Sequence, residues 1–364
     1  MTETDQRFMA HALSLGARGL GRTWPNPAVG CVIVQGTRIV GRGWTQPGGR
    51  PHAEVMALRQ AGPHARGATA YVTLEPCAHH GQTGPCADAL IAAGITRVVT
   101  ALTDPDPRVC GKGHAVLRAA GIDVTEGVLK DQARTANAGF LKRVTQGLPF
   151  VTLKLATTLD GRIATSEGQS RWITSPQSRR AVHALRLNHD AVLIGAGTAR
   201  ADDPDLTVRA LGITHQPIRI VIDARLNHAP QSRLGQTAKT NPVWLCHTHQ
   251  APESAREEWA HTGATLIECA SEATQVNLTD ALQRLASLGL TRILCEGGAA
   301  LAASLINARL VDDLITFTGA KLIGAGGHPA IGQLAGAPLK DLPQLTLIST
   351  RQIGPDAMSH WRML

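Results

Sequence analysis

Three residues that stand far apart in the sequence, His52, Cys77 and Cys86, constrain the fold more than any other feature. One imidazole and two thiolates supply three zinc ligands and leave a fourth tetrahedral position open, which is the arrangement of catalytic rather than structural zinc. Glu54 lies two residues after His52, close enough to transfer a proton without binding the metal. The fold must therefore bring these three segments to one point.

The spacing of these residues leaves alternatives open. His79 and His80 lie between the two cysteines and are rival ligands, and any single Cys or His could instead pack in a core. A His-x-Glu motif followed by Pro-Cys-x-x-Cys is typical of zinc-dependent nucleobase deaminases. Here Pro76-Cys77 is separated from Cys86 by eight residues rather than two.

The first half alternates between strand and helix patterns. We expect one helix to begin at His52 and another at Cys86, and helix starts favour thiolate over thiol. Alternating apolar runs predict strands, and intervening periodic runs predict helices, among them a single helix over Asp131–Val144. This alternation predicts an α/β sandwich with a mixed sheet. Asn26, between Pro25 and Pro27, is either a turn former or an amide that reads the edge of a heterocycle.

The second half begins with a strand predicted over Phe150–Thr157, after a turn at 146–149. Gly195-Ala196-Gly197-Thr198 follows a predicted strand, but Arg200 stands where a dinucleotide fingerprint has its third glycine. Glu296-Gly297-Gly298 separates a strand from a helix predicted over Ala299–Ala308. Free backbone donors at such a turn form an anion cradle, although an ordinary glycine-rich turn would look the same.

Charge and composition limit the classes of partner that the chain can bind. The formal net charge of +8 favours anionic partners, either nucleic acid or a phosphorylated metabolite, but aromatic residues are only 3%, which leaves few surfaces for stacking bases. No apolar run approaches the roughly 18 to 20 residues of a membrane span. The polar residues 1–7 are not followed by the apolar core of a signal peptide. Seven cysteines, an odd number, suit a reducing cytoplasm in which the five that bind no metal pack as small apolar side chains.

Taken together, the motifs resemble those of the bifunctional deaminase/reductase family of riboflavin biosynthesis over nearly the whole chain. The first half carries Pro25-Asn26-Pro27-Ala28-Val29-Gly30, His52-Ala53-Glu54, Thr73-Leu74-Glu75-Pro76-Cys77 and Thr83-Gly84-Pro85-Cys86. The second carries Lys154-Leu155, Leu159-Asp160-Gly161-Arg162, Trp172-Ile173-Thr174, Gly197-Thr198, Asp202-Asp203-Pro204 and Glu296-Gly297-Gly298. The long loop between the cysteines is this family's own pattern, and Gly84 departs from it where the family commonly has proline.

The resemblance implies a cytidine-deaminase-like α/β/α sandwich over residues 1–146 and a dihydrofolate-reductase-like α/β domain over 147–364. The first would use one Zn²⁺ per chain, held by His52, Cys77 and Cys86, to remove the 2-amino group of a phosphoribosylated diaminopyrimidinone, with Glu54 moving the proton. The second would use NADPH to reduce the ribose of the product to ribityl. A cytoplasmic homo-oligomer, dimer or tetramer, is implied, with no nucleic-acid or membrane partner.

The resemblance also assigns individual residues. Lys154 would orient the sugar or protonate its opening ring. The substrate would be bound, besides Asn26, by Ser170, Arg186, Leu206, Arg209 and Glu296. NADPH would be bound by Ala156, Trp172, Thr198, Asp202, Gly298, Ala299, Ala300, Leu301, Ala302, Ala303 and Ser304. The alternatives are a nucleobase or tRNA deaminase with a non-catalytic C-terminal binding domain, or a protein whose second half is a non-catalytic substrate or regulatory module.

Overall fold

A computed structural model describes residues 2–78, 84–107 and 109–364 of the chain. The chain divides into two compact units, Met1–Gly147 and Leu148–Leu364. Gly147 ends the last helix of the first unit in a left-handed conformation, with φ of +68°, which glycine adopts without strain.

The first unit is built on a mixed sheet that has five strands within the described residues, in the order β2-β1-β3-β4-β5. The strands are β1 (Gly30–Gln35), β2 (Arg38–Trp44), β3 (Thr69–Val72), β4 (Arg97–Thr100) and β5 (Asp123–Thr125). The helices are α1 (Glu3–Gly16), α2 (Ala53–Ala61), α3 (Cys86–Ala92), α4 (Lys112–Ala119), α5 (Lys130–Ala136) and α6 (Ala138–Gln146). The pairs β2–β1 and β1–β3 are antiparallel, whereas β3, β4 and β5 run parallel. The carboxyl ends of β3 and β4 therefore meet at one edge of the sheet.

The single helix predicted over Asp131–Val144 is wrong, because the structure divides it at Asn137. Asn137 has φ of −100° and ψ of 14°, outside the helical range, and its buried side-chain amide lies 3.4 Å from the carbonyl of Ala133. The side-chain amide and the backbone N–H of Asn137 both donate to the carbonyl of Ala133, and the non-helical backbone of Asn137 separates α5 from α6. Cys110 is a second correction, since it is exposed rather than packed in a core.

The second unit is built on a sheet of nine strands among the residues described, in the order β11-β10-β9-β8-β14-β6-β15-β18-β17. The strands are β6 (Phe150–Thr158), β7 (Arg162–Ala164), β8 (Ala191–Gly195), β9 (Ile218–Ile222), β10 (Val243–His247), β11 (Thr265–Glu268), β12 (Ser271–Glu272), β13 (Gln275–Val276), β14 (Arg292–Cys295), β15 (Asp313–Gly319), β16 (His328–Pro329), β17 (Leu345–Ile353) and β18 (Asp356–Met363). The helices are α7 (Pro176–Leu187), α8 (Ala196–Asp202), α9 (Arg233–Gln236), α10 (Glu253–His261), α11 (Leu278–Ser287) and α12 (Ala299–Asn307).

The strands from β11 to β15 in this sheet are all parallel, and only β18 and β17 are antiparallel to their neighbours. Parallel strands place their carboxyl ends at one edge, which is where ligands bind in open α/β sheets. The predicted turns after β8 and β14 lie at this edge, on adjacent strands. The C-terminal hairpin β17–β18 is not predicted by the sequence patterns above.

Candidate functional sites

Three potential metal ligands converge in the first unit. His52 is the residue that precedes α2, Cys77 follows β3, and Cys86 is the first residue of α3. Their ligand atoms all lie within 4.8 Å of one another, with Nδ1 of His52 3.3 Å from Sγ of Cys86 and 3.7 Å from Sγ of Cys77. One nitrogen and two sulfurs are the donor set of a catalytic zinc site with one open position, so these residues fit zinc. The rival ligands His79 and His80 lie outside the described residues.

Close packing of α2 on β2 fixes the position of His52 and Glu54. Gly43 of β2 faces the first turn of α2, and a Cβ there would lie 2.1 Å from the carbonyl oxygen of Ala53. Any side chain at this position would push the helix away from the sheet. The glycine therefore sets how closely the start of α2 approaches the cysteines.

Burial and neighbouring charges shift the pKa values of Glu54 and Cys77 in opposite directions. Glu54 is buried, and burial raises its pKa to about 7, with the negative charge of Cys77 acting in the same direction. A hydrogen bond with the Cys86 side chain lowers the pKa of Cys77 to about 4, with burial opposing and His52 assisting. The backbone N–H of Cys86 also donates to Sγ of Cys77 at 3.4 Å. A carboxyl group with a pKa near the working pH is suited to accept and return a proton.

Asn26 lies next to the segment that leads into α2. Its side-chain amide donates to the carbonyl oxygen of Gly49 at 3.1 Å, three residues before His52. Gly49 has φ of +84°, and a Cβ there would lie 2.0 Å from Nδ2 of Asn26. The amide is thus held against the loop that precedes the metal ligand, and it is only half-buried.

In the second unit, the structure brings Lys154, Arg186 and Glu296 together. Nε and Nη2 of Arg186 donate to the two carboxylate oxygens of Glu296 at 2.6 and 3.0 Å, and Nζ of Lys154 lies 3.8 Å from Oε2. The Lys154 and Glu296 side chains are only 15% and 9% exposed. Burial alone would raise the pKa of Glu296, but the charges of Arg186 and Lys154 lower it to about 2. Burial lowers the pKa of Lys154, with Glu296 opposing and Arg186 assisting.

A second group of predicted residues lies at the carboxyl ends of β8 and β14. The hydroxyl of Thr198 accepts a hydrogen bond from the backbone N–H of Gly298 at 3.1 Å, so the two glycine-containing turns are joined. Arg171 donates to the backbone carbonyl of Asp202 at 3.1 Å, and Lys321 donates to the carbonyl of Trp172 at 2.6 Å. Trp172 is 59% exposed, and the guanidinium of Arg179 lies 4.3 Å from the centroid of its ring. The residues at this edge fit a cofactor with phosphates and an aromatic ring.

The other predicted residues differ in how far their side chains are exposed. Leu206, Ala302 and Ala303 are buried with apolar side chains, so any contact they make with a ligand would be through the backbone. Arg209 is exposed and pairs with Asp205 at 2.6 Å. The remaining predicted residues are Ala156 on β6, Ser170 in the loop before α7, and Ala299, Ala300, Leu301 and Ser304 in the first turns of α12.

Three residues near these sites had no predicted role. Glu75 is buried and lies two residues before Cys77. Asp160 accepts hydrogen bonds from Thr158 and from the backbone of Ile323 and Gly324, which fixes the loop after β15. Nδ1 of His183 accepts a hydrogen bond from the backbone N–H of Arg209 at 3.3 Å. His183 lies three residues before Arg186 on α7, and this helical spacing is the one feature of the sequence that points to it.

Comparisons with known proteins agree with this arrangement. Residues 2–102 match the cytidine and deoxycytidylate deaminase zinc-binding region, and residues 149–359 match the RibD C-terminal domain. The riboflavin biosynthesis protein RibD of Escherichia coli K12 is 44% identical over 98% of each chain, and that of Aquifex aeolicus is 40% identical over 97% of each. The structure of Acinetobacter baumannii RibD, form 1, is 37% identical, with a TM-score of 0.90 over 100% of this chain and 99% of its own.

A Thermotoga maritima structure has a TM-score of 0.87 and 32% identity over 99% of each chain. It is described as a diaminohydroxyphosphoribosylaminopyrimidine deaminase/5-amino-6-(5-phosphoribosylamino)uracil reductase. The predicted fold class, a cytidine-deaminase-like domain followed by a dihydrofolate-reductase-like one, is confirmed. Within the part of the chain that the structure describes, no helix is long and apolar enough to cross a membrane.

Proposed function

Because the chain belongs to the RibD family of riboflavin biosynthesis proteins, bifunctional enzymes with a zinc-binding deaminase domain and a reductase domain, we propose that it performs two consecutive steps on one phosphorylated pyrimidine. The first is hydrolytic deamination of 2,5-diamino-6-(5-phosphoribosylamino)pyrimidin-4(3H)-one. The second is NADPH-dependent reduction of the ribosyl side chain of 5-amino-6-(5-phosphoribosylamino)uracil. The full-length similarity favours two catalytic halves over a deaminase with a non-catalytic second half.

One observation carries the deaminase assignment: His52, Cys77 and Cys86 meet beside the buried carboxyl of Glu54. Zinc, when bound, supplies the Lewis acidity that brings the pKa of a bound water to about 7. Glu54 would accept the proton from that water and pass it to the departing amino group. Asn26, held at Gly49, would hydrogen-bond the pyrimidine edge with its remaining amide groups.

In the second unit, Lys154, Arg186 and Glu296 would bind the sugar phosphate. Nη1 of Arg186 donates to the carbonyl of Thr207 at 2.9 Å. Among the described contacts this leaves one N–H on each terminal nitrogen, a pair that suits two phosphate oxygens. Lys154 would orient the ribose or donate a proton to its opening ring, since a partly buried ammonium with a lowered pKa gives up its proton more readily. NADPH supplies the hydride.

The cofactor would lie along the carboxyl edge of β8 and β14. The proposed contacts are those of Thr198, Asp202, Trp172 and the start of α12, together with Ala156 on β6. Support comes from the Thr198–Gly298 hydrogen bond, which holds two glycine turns side by side where backbone donors can face phosphates.

We further propose a cytoplasmic homo-oligomer. Strand β17 pairs with β18 and has no other partner among the described residues, and Leu347 and Ile348 on it are 50% and 46% exposed. An open apolar edge strand favours pairing with a second copy. Sedimentation equilibrium would test this, because a single chain has a mass of 38.4 kDa and only a multiple of that mass supports the proposal. Cell fractionation tests the compartment.

Glu54→Gln tests the two-site assignment. Glutamine keeps the size of the side chain but cannot take up the proton, so ammonia release should fall by a factor on the order of 100 to 10,000. Supplied with already deaminated substrate, the same variant should oxidise NADPH at nearly the parent rate, followed by absorbance at 340 nm. If Glu54→Gln also abolished this reduction, the two reactions would share one pocket and the proposal would be wrong.

A further inference from the structure

Glu75 is a buried carboxylate whose hydrogen-bond partners among the described residues are all backbone N–H groups of a distant segment. Oε2 accepts from Asp104 at 3.1 Å and from Gly111 at 2.9 Å. Oε1 accepts from Gly113 at 2.8 Å and from His114 at 3.4 Å. The residue is 4% exposed. Four such bonds from one charged acceptor make a strong and well-oriented attachment.

These bonds replace the cap that α4 lacks. The residue before α4 is Gly111, which has no side chain to accept from the first N–H groups of the helix. Glu75 accepts from two N–H groups of the first turn, Gly113 and His114, and its negative charge lies at the positive end of the helix. The same carboxylate also holds Asp104, at the other end of the loop between β4 and α4. Glu75 therefore fixes both ends of this loop.

The start of α4 is also in direct contact with the segment that carries Cys77. A Cβ on Gly113 would lie 1.9 Å from the carbonyl oxygen of Pro76, so the start of α4 packs tightly against the residue that precedes Cys77. Cys77 in turn accepts a hydrogen bond from Ala87 through its carbonyl oxygen. Because β3 and β4 are parallel neighbours, residues 75–77 and the 104–107 loop leave the sheet at the same edge.

We propose that Glu75 is a positioning residue that holds Cys77 in place for the metal and fixes the 104–107 loop beside the deaminase site. Glu75 acts through the backbone of both segments and touches neither metal nor substrate. The part of this inference that concerns the loop rests on the proposed deaminase function. The part that concerns Cys77 can be tested through the metal alone.

The test compares Glu75→Gln with Glu126→Gln in the full-length zinc-loaded protein. In Glu75→Gln, the amide N–H₂ would face backbone N–H donors and leave one pair of them without an acceptor. Glu126 is a matched control, because it also supports α4, through His114 and Arg118, and accepts a hydrogen bond from Thr103. Its hydrogen bonds and ion pairs among the described residues include none with residues 75–77. The readouts are zinc transfer to a chromogenic chelator, hydrogen exchange of the amides in 104–114, and kcat and KM for ammonia release.

For Glu75→Gln we expect zinc transfer at least about 10-fold faster, faster exchange in 104–114, and a KM raised by about 10-fold, the scale of losing a support behind a metal ligand. Glu126→Gln should keep the parent rate of zinc transfer. NADPH oxidation on deaminated substrate should be unchanged in both variants. Should Glu75→Gln be insoluble, Glu75→Asp, which keeps the charge but is too short to reach both pairs of donors, must show the same effects.

A Glu75 variant with parental zinc transfer and KM and only a lower unfolding temperature would overturn the proposal, since the role would then be structural. Equal acceleration of zinc transfer in the Glu126→Gln control would also overturn it. If the parent protein released no ammonia from the pyrimidine, the proposed function would be wrong. The zinc-transfer comparison would still decide whether Glu75 holds Cys77.

Discussion

Replacing Glu296 with glutamine should destabilise the second unit by an amount that follows from its pKa. The pKa of Glu296 falls from its ordinary value of 4.5 to about 2, because the attraction of Arg186 and Lys154 outweighs the effect of burial. At 1.36 kcal/mol for each pKa unit, this difference is equal to about 3 kcal/mol at pH 7. The independent expectation for removing one partner of a buried ion pair is about 3 to 5 kcal/mol, which agrees.

The sign of the pH dependence follows from the same numbers. A carboxyl whose pKa is depressed by folding contributes its full stability above the unfolded pKa of 4.5, and loses it as the pH falls toward the folded value of about 2. At pH 3 the contribution of Glu296 should have decreased to about 1 kcal/mol. The parent and Glu296→Gln should therefore approach each other in stability as the pH is lowered.

Urea unfolding at pH 7 and pH 3, followed by hydrogen exchange of peptides from β14 and α7, measures this difference for the second unit separately from the first. If Glu296→Gln lowered the free energy of unfolding at pH 7 by less than about 1 kcal/mol, the buried ion pair would contribute no more to stability than a solvent-exposed ion pair does. A loss that remained the same at pH 3 would show that lost packing, not lost charge, destabilises the variant. Either result would refute the reasoning.

The other predictions concern the metal, the hydride step and packing. Cys77→Ser and Cys86→Ser should each lose zinc by metal analysis, and full occupancy in both would reject these ligands. Lys154→Ala should slow hydride transfer by roughly 100-fold with little change in NADPH affinity by fluorescence, and the reverse pattern would contradict its assigned role. Gly30→Ala, whose Cβ would lie 1.8 Å from a carbonyl oxygen of α1, should cost roughly 1 to 3 kcal/mol in urea unfolding. Gly36→Ala, in open space with φ of +60°, should cost about 1 kcal/mol, so a larger loss there than at Gly30 would contradict the packing argument.

The metal centre could be predicted from the sequence because its chemistry depends on residue type and spacing. Few arrangements other than a metal site require one histidine, two cysteines and an adjacent glutamate. The helix starts at Ala53 and Cys86 could be predicted from the residues immediately around them. The order of strands and helices in the first half also follows from local sequence patterns. The break at Asn137 was missed because it depends on a buried side chain bonding the backbone, which periodicity does not show.

The second unit was harder to predict because its contacts are remote in sequence. The pairing of Arg186 with Glu296 spans 110 residues and can be seen only once β14 is placed. The resemblance supplied both residues but not their mutual contact. Strand β17 was not predicted because its apolar and polar residues do not alternate strictly, since Leu347 and Ile348 are adjacent and both exposed. Glu75 received no predicted role, because its four backbone donors lie 29 to 39 residues away in the sequence.

The position of β6 has a consequence for synthesis of the chain on the ribosome. It is the first strand of its unit, yet both of its neighbours, β14 and β15, come late: Phe150 pairs with Arg292, 142 residues later (292 minus 150). At roughly 5 to 20 residues per second, this apolar strand waits about 7 to 30 s for its first partner. The last described strand of the first unit's sheet ends at Thr125, so the first unit can fold during that interval. The nascent second unit is therefore the part of the molecule most exposed to aggregation and most dependent on chaperones.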